Sequence, residues 1–316
     1  MNTHVSSAQL PPRRTVHVVG RHRVRFLNAM TSMGLMKTGA GDARFATMST
    51  AAGKHLGQMR IEIGADDLTL DLPDSSAERL LEGLRKHRVA DDIRWTSAEQ
   101  PAEVRAVIGD DAATLATWLG GVLGPEATIA PGRWADVAWQ DGVVRVSAFD
   151  GQFTETARPT TYLRPSLTVA ASLDAALQAA GASPIDPETL ACQYILALWP
   201  DDARDLPDDE PTLASTRLVL AVDWNKGCFL GQEVFVMARD RGEAPKKLVA
   251  LRVEGTAPAT GSDILTASGQ IAGRVGSTAS EGATSVLLGL LKRRFAADPG
   301  LVLSDGRALT QTHQAG

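Results

Sequence analysis

The sequence predicts an α+β protein. Two duplicated α/β subdomains of ferredoxin-like, split βαβ plan would enclose a central cleft, and a small C-terminal β-barrel would follow. Three observations carry this expectation. A strand–Gly–helix signature near residue 15 returns roughly 90 residues further on, near residue 104. Within the first unit, strands alternate with two helices in the order of a split βαβ with an extra strand. Beyond Gly242 the pattern changes to short strands separated by glycine turns. The expected domains are 15–100, 101–243 and 244–316, a division suited to 316 residues.

In the first unit, the β-branched run 15–19 stops at Gly20 and reads as a strand. Val24, Leu27 and Met30 then fall at helical spacing. Residues 44–48 and 57–63 read as paired strands, and 68–72 alternates as a half-buried strand. A helix starts at 73–76, turns Leu80, Leu81 and Leu84 one way and ends near His87. Residues 93–95 close the unit.

In the second unit, 104–108 is a strand and 110–119 a helix with Asp110 as N-cap and Leu115, Trp118 and Leu119 on its apolar face. Asp141-Gly142 between 137–139 and 143–149 signals a hairpin. Helices follow at 172–180 and 187–199. The acidic, proline-punctuated stretch 200–211 reads as a solvated surface loop. Short strands at 247–253, 264–265, 271–275 and 285–291 build the barrel.

Composition excludes several classes of function. A net charge of −5 gives no basic footprint for general nucleic-acid binding. Cys192 and Cys228 are too few for a disulfide framework, which fits a reducing, cytoplasmic setting. The six histidines show no ligand-like spacing with one another or with the cysteines, so no protein-made metal site is expected. Residues 1–14 are polar and unlike a secretory signal, and no segment is long enough to span a membrane.

The most distinctive stretch is 226–233, Lys226-Gly227-Cys228-Phe229-Leu230-Gly231-Gln232-Glu233. Glycines at this spacing permit a sharp bend or a close approach. A thiol held there beside a cation ionises more readily than a free cysteine. A tight turn around a buried cysteine fits the same spacing. Cys192 instead sits among Leu190, Tyr194, Ile195 and Leu198 on a predicted core helix, where burial makes a thiol inert. Arg239 and Arg241 follow the motif closely enough to add positive charge to it.

This octapeptide resembles the signature of the YgfZ-type folate-binding proteins at every defined position. Those proteins are relatives of the glycine-cleavage T-protein (aminomethyltransferase) and support iron–sulfur enzymes; the T-protein's equivalent stretch usually lacks the cysteine. The resemblance implies tetrahydrofolate or another reduced folate as ligand and iron–sulfur client or carrier proteins as partners. It makes Cys228 the reactive thiol, assisted by Lys226. Gly227, Phe229, Gly231, Gln232, Glu233, Trp224, Arg239 and Arg241 would surround the folate, with Gln232 and Glu233 holding the loop closed. Departures stand beside the match. Thr50 replaces an aspartate, Met237 replaces an arginine, and the segment from Cys192 to Pro200 lacks the family's Arg-Ile…Gly-x-Pro. Asp150 beside Gly151 is a poor counterpart of the T-protein's catalytic aspartate. A folate-dependent aminomethyl or methyl transferase and a ligand-free docking module are the alternatives.

Overall fold

The computed structural model describes residues 4–97, 102–241 and 244–312. The predicted turn at Gly242 and the Arg241 side chain lie outside the described residues. The chain opens with β1 (Ser6–Gln9) and β2 (Arg13–Val19), then α1 (Arg23–Met30), β3 (Ala43–Ser49), β4 (His55–Ile63), β5 (Asp67–Pro73), α2 (Asp74–His87) and β6 (Arg94–Ser97). A second run follows: β7 (Arg105–Ile108), α3 (Ala112–Leu123), β8 (Arg133–Trp139), β9 (Gly142–Phe149), β10 (Thr160–Pro165), α4 (Ala170–Ala179) and β11 (Ser183–Pro184). The first sheet has the order β3-β4-β5-β2-β6 and the second β11-β1-β7-β10-β9-β8. Both runs therefore read strand, helix, three-strand meander, helix, strand, and the second sheet admits β1 between β7 and β11.

Three helices, α5 (Pro187–Leu196), α6 (Thr216–Val219) and α7 (Gln232–Arg241), lead to the last sheet. It comprises β12 (Lys246–Glu254), β13 (Asp263–Leu265), β14 (Ile271–Glu281), β15 (Thr284–Lys292), β16 (Val302–Leu303) and β17 (Leu309–Gln311), ordered β16-β13-β14-β15-β12-β17. Its ends approach each other: the Leu309 N–H donates to Leu301 O at 2.9 Å, and Val302 bridges to Ala308. The sheet thus curls back on itself.

The period-2 alternation of the first sheet holds, but both faces are buried. Met59, Ile61, Ile63, Leu68, Leu70 and Leu72 pack under α1 and α2. The polar partners Gln58, Arg60, Glu62, Thr69 and Asp71 are buried as well, which corrects the half-buried reading of 68–72. Their face meets the second sheet. Glu62 accepts hydrogen bonds from Ser147 Oγ at 2.5 Å, Arg164 at 3.1 Å and Arg145 at 3.2 Å. Arg60 pairs with Asp71 at 2.9 Å and with Glu155. Polar side chains that look solvent-facing in sequence are here the contact between two sheets, paired as buried charges must be.

Smaller corrections have local causes. Asp111, not Asp110, caps α3: its extended backbone lets the carboxylate accept the Thr114 N–H at 2.8 Å. The β8–β9 turn is Gln140-Asp141, with Gln140 at φ +52°. Gly142 already belongs to β9, where a β-carbon would lie 2.4 Å from Ser166 Oγ. α5 ends at Leu196, short of the predicted 199, and Leu198 takes φ +56° as the chain turns. The 200–211 stretch is not solvated along its length: Asp202, Asp205 and Leu206 are fully buried and Glu210 nearly so. Among the described residues, no helix is long and apolar enough to cross a membrane.

Candidate functional site

The octapeptide links the segment after α6 to α7 and is clamped onto the first sheet's unit. Lys226 Nζ donates to the carbonyls of Asn28, Thr31 (2.6 Å) and Met33 (3.1 Å). These lie in and just beyond the last turn of α1, where carbonyls lack helical partners and a cation is favoured. Burial pushes the lysine down to about 8, with Asp223 opposing. Leu230 N–H donates to Ala29 O at 2.9 Å. Gly231 has φ +82°, and a β-carbon there would sit 2.5 Å from Thr50 O and 2.6 Å from Ser49 Oγ. Phe229 is buried with Val222 and Phe235, its ring 5.6 Å from the Phe235 ring and edge-on.

The other predicted site residues divide. Gln232 and Glu233 open α7, and neither side chain makes a hydrogen bond to a described residue; Glu233 suits the helix N-terminus as a charge. The expected loop-holding is done by Lys226 instead. The Arg239 guanidinium stands 5.0 Å above the Trp224 ring and pairs with Asp240 at 2.7 Å. Both line a hollow of about 300 Å³ against the start of β12. Met237 is exposed, and Thr50 serves the turn, its Oγ1 accepting the Lys54 N–H at 3.2 Å. A β-carbon at Gly227 would meet nothing within 4 Å, so no neighbour requires this glycine.

The two cysteines differ as burial dictates. Cys228 is exposed, and its thiol is free. Cys192 is buried on α5 with Sγ 3.3 Å from Ser280 O; burial and the nearby Glu281 and Glu188 push its thiol up. Among the described residues, no cluster of three or more histidine, cysteine or carboxylate side chains is placed to hold a metal.

A second, larger hollow lies elsewhere. A hollow of about 630 Å³ opens where the β1–β2 link, the end of β5, α5 and β14 converge. Leu10, Pro12, Ile195 and Trp199 supply apolar wall; Arg13, Gln58, Glu155 and Tyr194 supply polar groups. No residue of the octapeptide lines it. One side is the 200–211 stretch, which acts as a strap. Asp202 accepts from His55 Nε2 (2.7 Å), Ser76 Oγ (2.6 Å) and the Gln58 backbone N–H (3.1 Å), all in the first unit. Asp205 accepts from Ser277 N–H (2.6 Å) and Oγ (2.7 Å), and Glu210 pairs with Lys246 (2.7 Å) and Arg274 (3.2 Å), all in the last sheet.

The charges behind the cavity are fixed in a chain. Arg13 Nε donates to Asp71 at 2.7 Å, Asp71 also takes Arg60, and Glu155 takes Arg60 and the Tyr162 hydroxyl. Burial alone would raise Asp71, but Arg13, Arg60 and Arg164 hold it at about 2. No cation among the described residues pairs with Asp205, and burial pushes it up to about 6. Gln58 is 5 % exposed. Its Nε2 is anchored on Pro200 O (2.9 Å) and Asp202 (3.1 Å). Nothing in the local sequence marks Gln58 or Tyr194, because the cavity is assembled from segments far apart in the chain.

No family model matches the sequence, and no curated protein matches it. Among solved structures, the chain is similar to the glycine cleavage system aminomethyltransferase T from Bartonella henselae. The TM-score is 0.78 at 16% identity, covering 99% of this chain and 86% of that one. A weaker likeness is to heterotetrameric sarcosine oxidase from Corynebacterium sp. U-96, with a TM-score of 0.38 at 16% identity over 58% of this chain and 88% of that one. The first likeness gives the class: this chain has the aminomethyltransferase fold along essentially its whole described length. The second is too low to bear on the fold.

Proposed function

We propose that the protein is a cytoplasmic reduced-folate-binding accessory protein that supports iron–sulfur cluster assembly or repair, with Cys228 as its reactive thiol. The observation that carries the folate part is the cavity of about 630 Å³ at the junction of three units, in a chain of aminomethyltransferase fold. Its volume lies within the range of small-molecule sites, and its apolar walls with a few fixed polar groups suit a flat heterocycle. The Gln58 amide and the Tyr194 hydroxyl on its wall are groups with which such a ligand can hydrogen-bond. Support for the iron–sulfur part comes from the octapeptide, whose clamped backbone leaves the Cys228 thiol exposed.

Isothermal titration with tetrahydrofolate tests the first part: saturable binding with one site per chain is expected, and no heat at saturating ligand would refute it. Complementation of a strain lacking a family member tests the second. Cys228→Ser is expected to fold and bind folate normally yet fail to restore iron–sulfur enzyme activity; full restoration would refute the thiol's role. The fold itself favours a second reading, a folate-dependent aminomethyl transferase. Turnover of an aminomethyl donor in the presence of tetrahydrofolate would establish it.

A further inference from the structure

The hollow of about 300 Å³ beside the octapeptide is apolar at its floor and cationic at its rim. Leu213, Val219, Trp224 and Phe235 form the floor. Leu213, Trp224 and Phe235 also belong to the cluster that buries Phe229, the residue bonded to Cys228. The floor of the hollow is thus the support of the thiol loop. The rim carries Arg239 from α7, Lys246 and Lys247 from β12, and Arg293 from the turn Arg293–Phe295. The Arg293 N–H donates to Pro245 O at 2.9 Å, which sets that turn against the start of β12.

Among the described residues, no carboxylate lines the hollow. Four cations from three segments therefore converge on one apolar depression in a chain of net charge −5. Two of them are balanced from outside it: Lys246 by Glu210 at 2.7 Å and Arg239 by Asp240 at 2.7 Å. The Lys247 ammonium is exposed and has no partner among the described residues. Arg239 is placed for a ligand as well as for Asp240, since its guanidinium stands 5.0 Å above the Trp224 ring.

From this arrangement we infer that the hollow is a second ligand site, separate from the cavity of about 630 Å³. Its ligand is a compact planar ring carrying an oxyanion, a carboxylate or a phosphate. The ring packs on the floor beside Trp224 and Phe235, where aromatic contact adds to area burial. The oxyanion takes Lys247 and Arg239; an exposed pair such as Arg239 with Asp240 is weak enough to exchange for it. The volume lies at the lower bound of small-molecule sites, which keeps the ligand compact. This site stands whether or not the larger cavity takes a folate.

The test is isothermal titration of the full chain with 1-naphthyl phosphate, 1-naphthoate and the neutral 1-naphthol. Saturable binding of at least one anion is expected, with the naphthol roughly tenfold weaker or worse. The tighter anion identifies the oxyanion. Lys247→Glu, at an exposed position that should not disturb folding, is expected to weaken that anion roughly tenfold. Raising salt to about 0.5 M should shrink the loss, because exposed charges are screened. Ala238→Phe fills the hollow from α7 and should abolish binding. Saturating tetrahydrofolate should leave the anion's affinity unchanged. Failure of both anions to bind, affinity no better than the naphthol's, or binding unmoved by Lys247→Glu overturns the inference. Displacement of the anion by tetrahydrofolate would put it in the larger cavity and overturn the inference equally.

Discussion

The octapeptide 226–233 and the acidic strap 200–211 exchange the characters their sequences advertise. The octapeptide carries the recognisable motif, yet three of its residues hold structure: Lys226 on three carbonyls, Phe229 in a core, Gly231 against Thr50. What remains exposed is Gly227, the Cys228 thiol and the Glu233 carboxylate. The strap reads as a solvated linker, yet Asp202, Asp205 and Glu210 are buried and tie the first unit to the last sheet beside the cavity of about 630 Å³. A run of carboxylates is solvated only when no donors are brought to it, and the donors here come from over 120 residues upstream and over 30 downstream of the strap, measured from Asp202 to Ser76 and from Glu210 to Lys246. Local composition does not contain that information.

The sharpest way to break the comparison is to remove the strap's anchor. Asp202→Ala leaves His55, Ser76 and Gln58 without their buried partner and should cost about 3–5 kcal/mol in chemical denaturation. A loss below about 1 kcal/mol would return the strap to the status of a linker. In the octapeptide, Gly231→Ala meets both a left-handed backbone and a carbonyl at 2.5 Å and should cost about 2 kcal/mol. Gly227→Ala meets open space and should stay within about 0.5 kcal/mol. Lys226→Met strips three carbonyls of their donor and should cost about 1–3 kcal/mol.

Two buried carboxylates separate the regions by pH. Asp71, held at about 2, lies below its unfolded value of about 3.9; its contribution is full above that value and is lost as pH falls through 2. Asp205 of the strap, raised to about 6, behaves oppositely: the stability it confers is present below about 3.9 and is lost as pH rises through 6, by roughly 3 kcal/mol. Carboxyl-resolved NMR should find Asp205 titrating near 6 and Asp71 ionised down to about 2. Thiol chemistry gives the smallest effect on the fold. Limited alkylation under native conditions should label Cys228 before Cys192, and the reverse order would contradict the burial of α5.

Much of the architecture was legible because it rests on local periodicity. β2, α1, β4, α2 and the strands β12, β13, β14 and β15 of the last sheet follow apolar spacing that any short window reveals, whereas the short β16 and β17 do not. What the spacing hides is the second burial of polar positions. Thr69 and Asp71 alternate with leucines as a solvent-facing row would, and only the opposing sheet makes them interior. The exposure of Cys228 and the burial of Cys192 follow from their neighbours in sequence. The cavity does not: Arg13, Gln58, Tyr194 and Arg204 come from four separate segments, and none belongs to the motif. Trp224 and Arg239, picked for proximity to the octapeptide, share a smaller hollow instead.

The claim at the centre of this account is that ligand and thiol occupy different regions, the ligand beside the strap and the thiol on the octapeptide. Hydrogen exchange with and without tetrahydrofolate addresses it directly, because a bound ligand slows local opening where it sits. The account predicts added protection in α5 and residues 200–206, with 226–233 unchanged. Protection confined to 226–241 would contradict it and move the ligand to the motif.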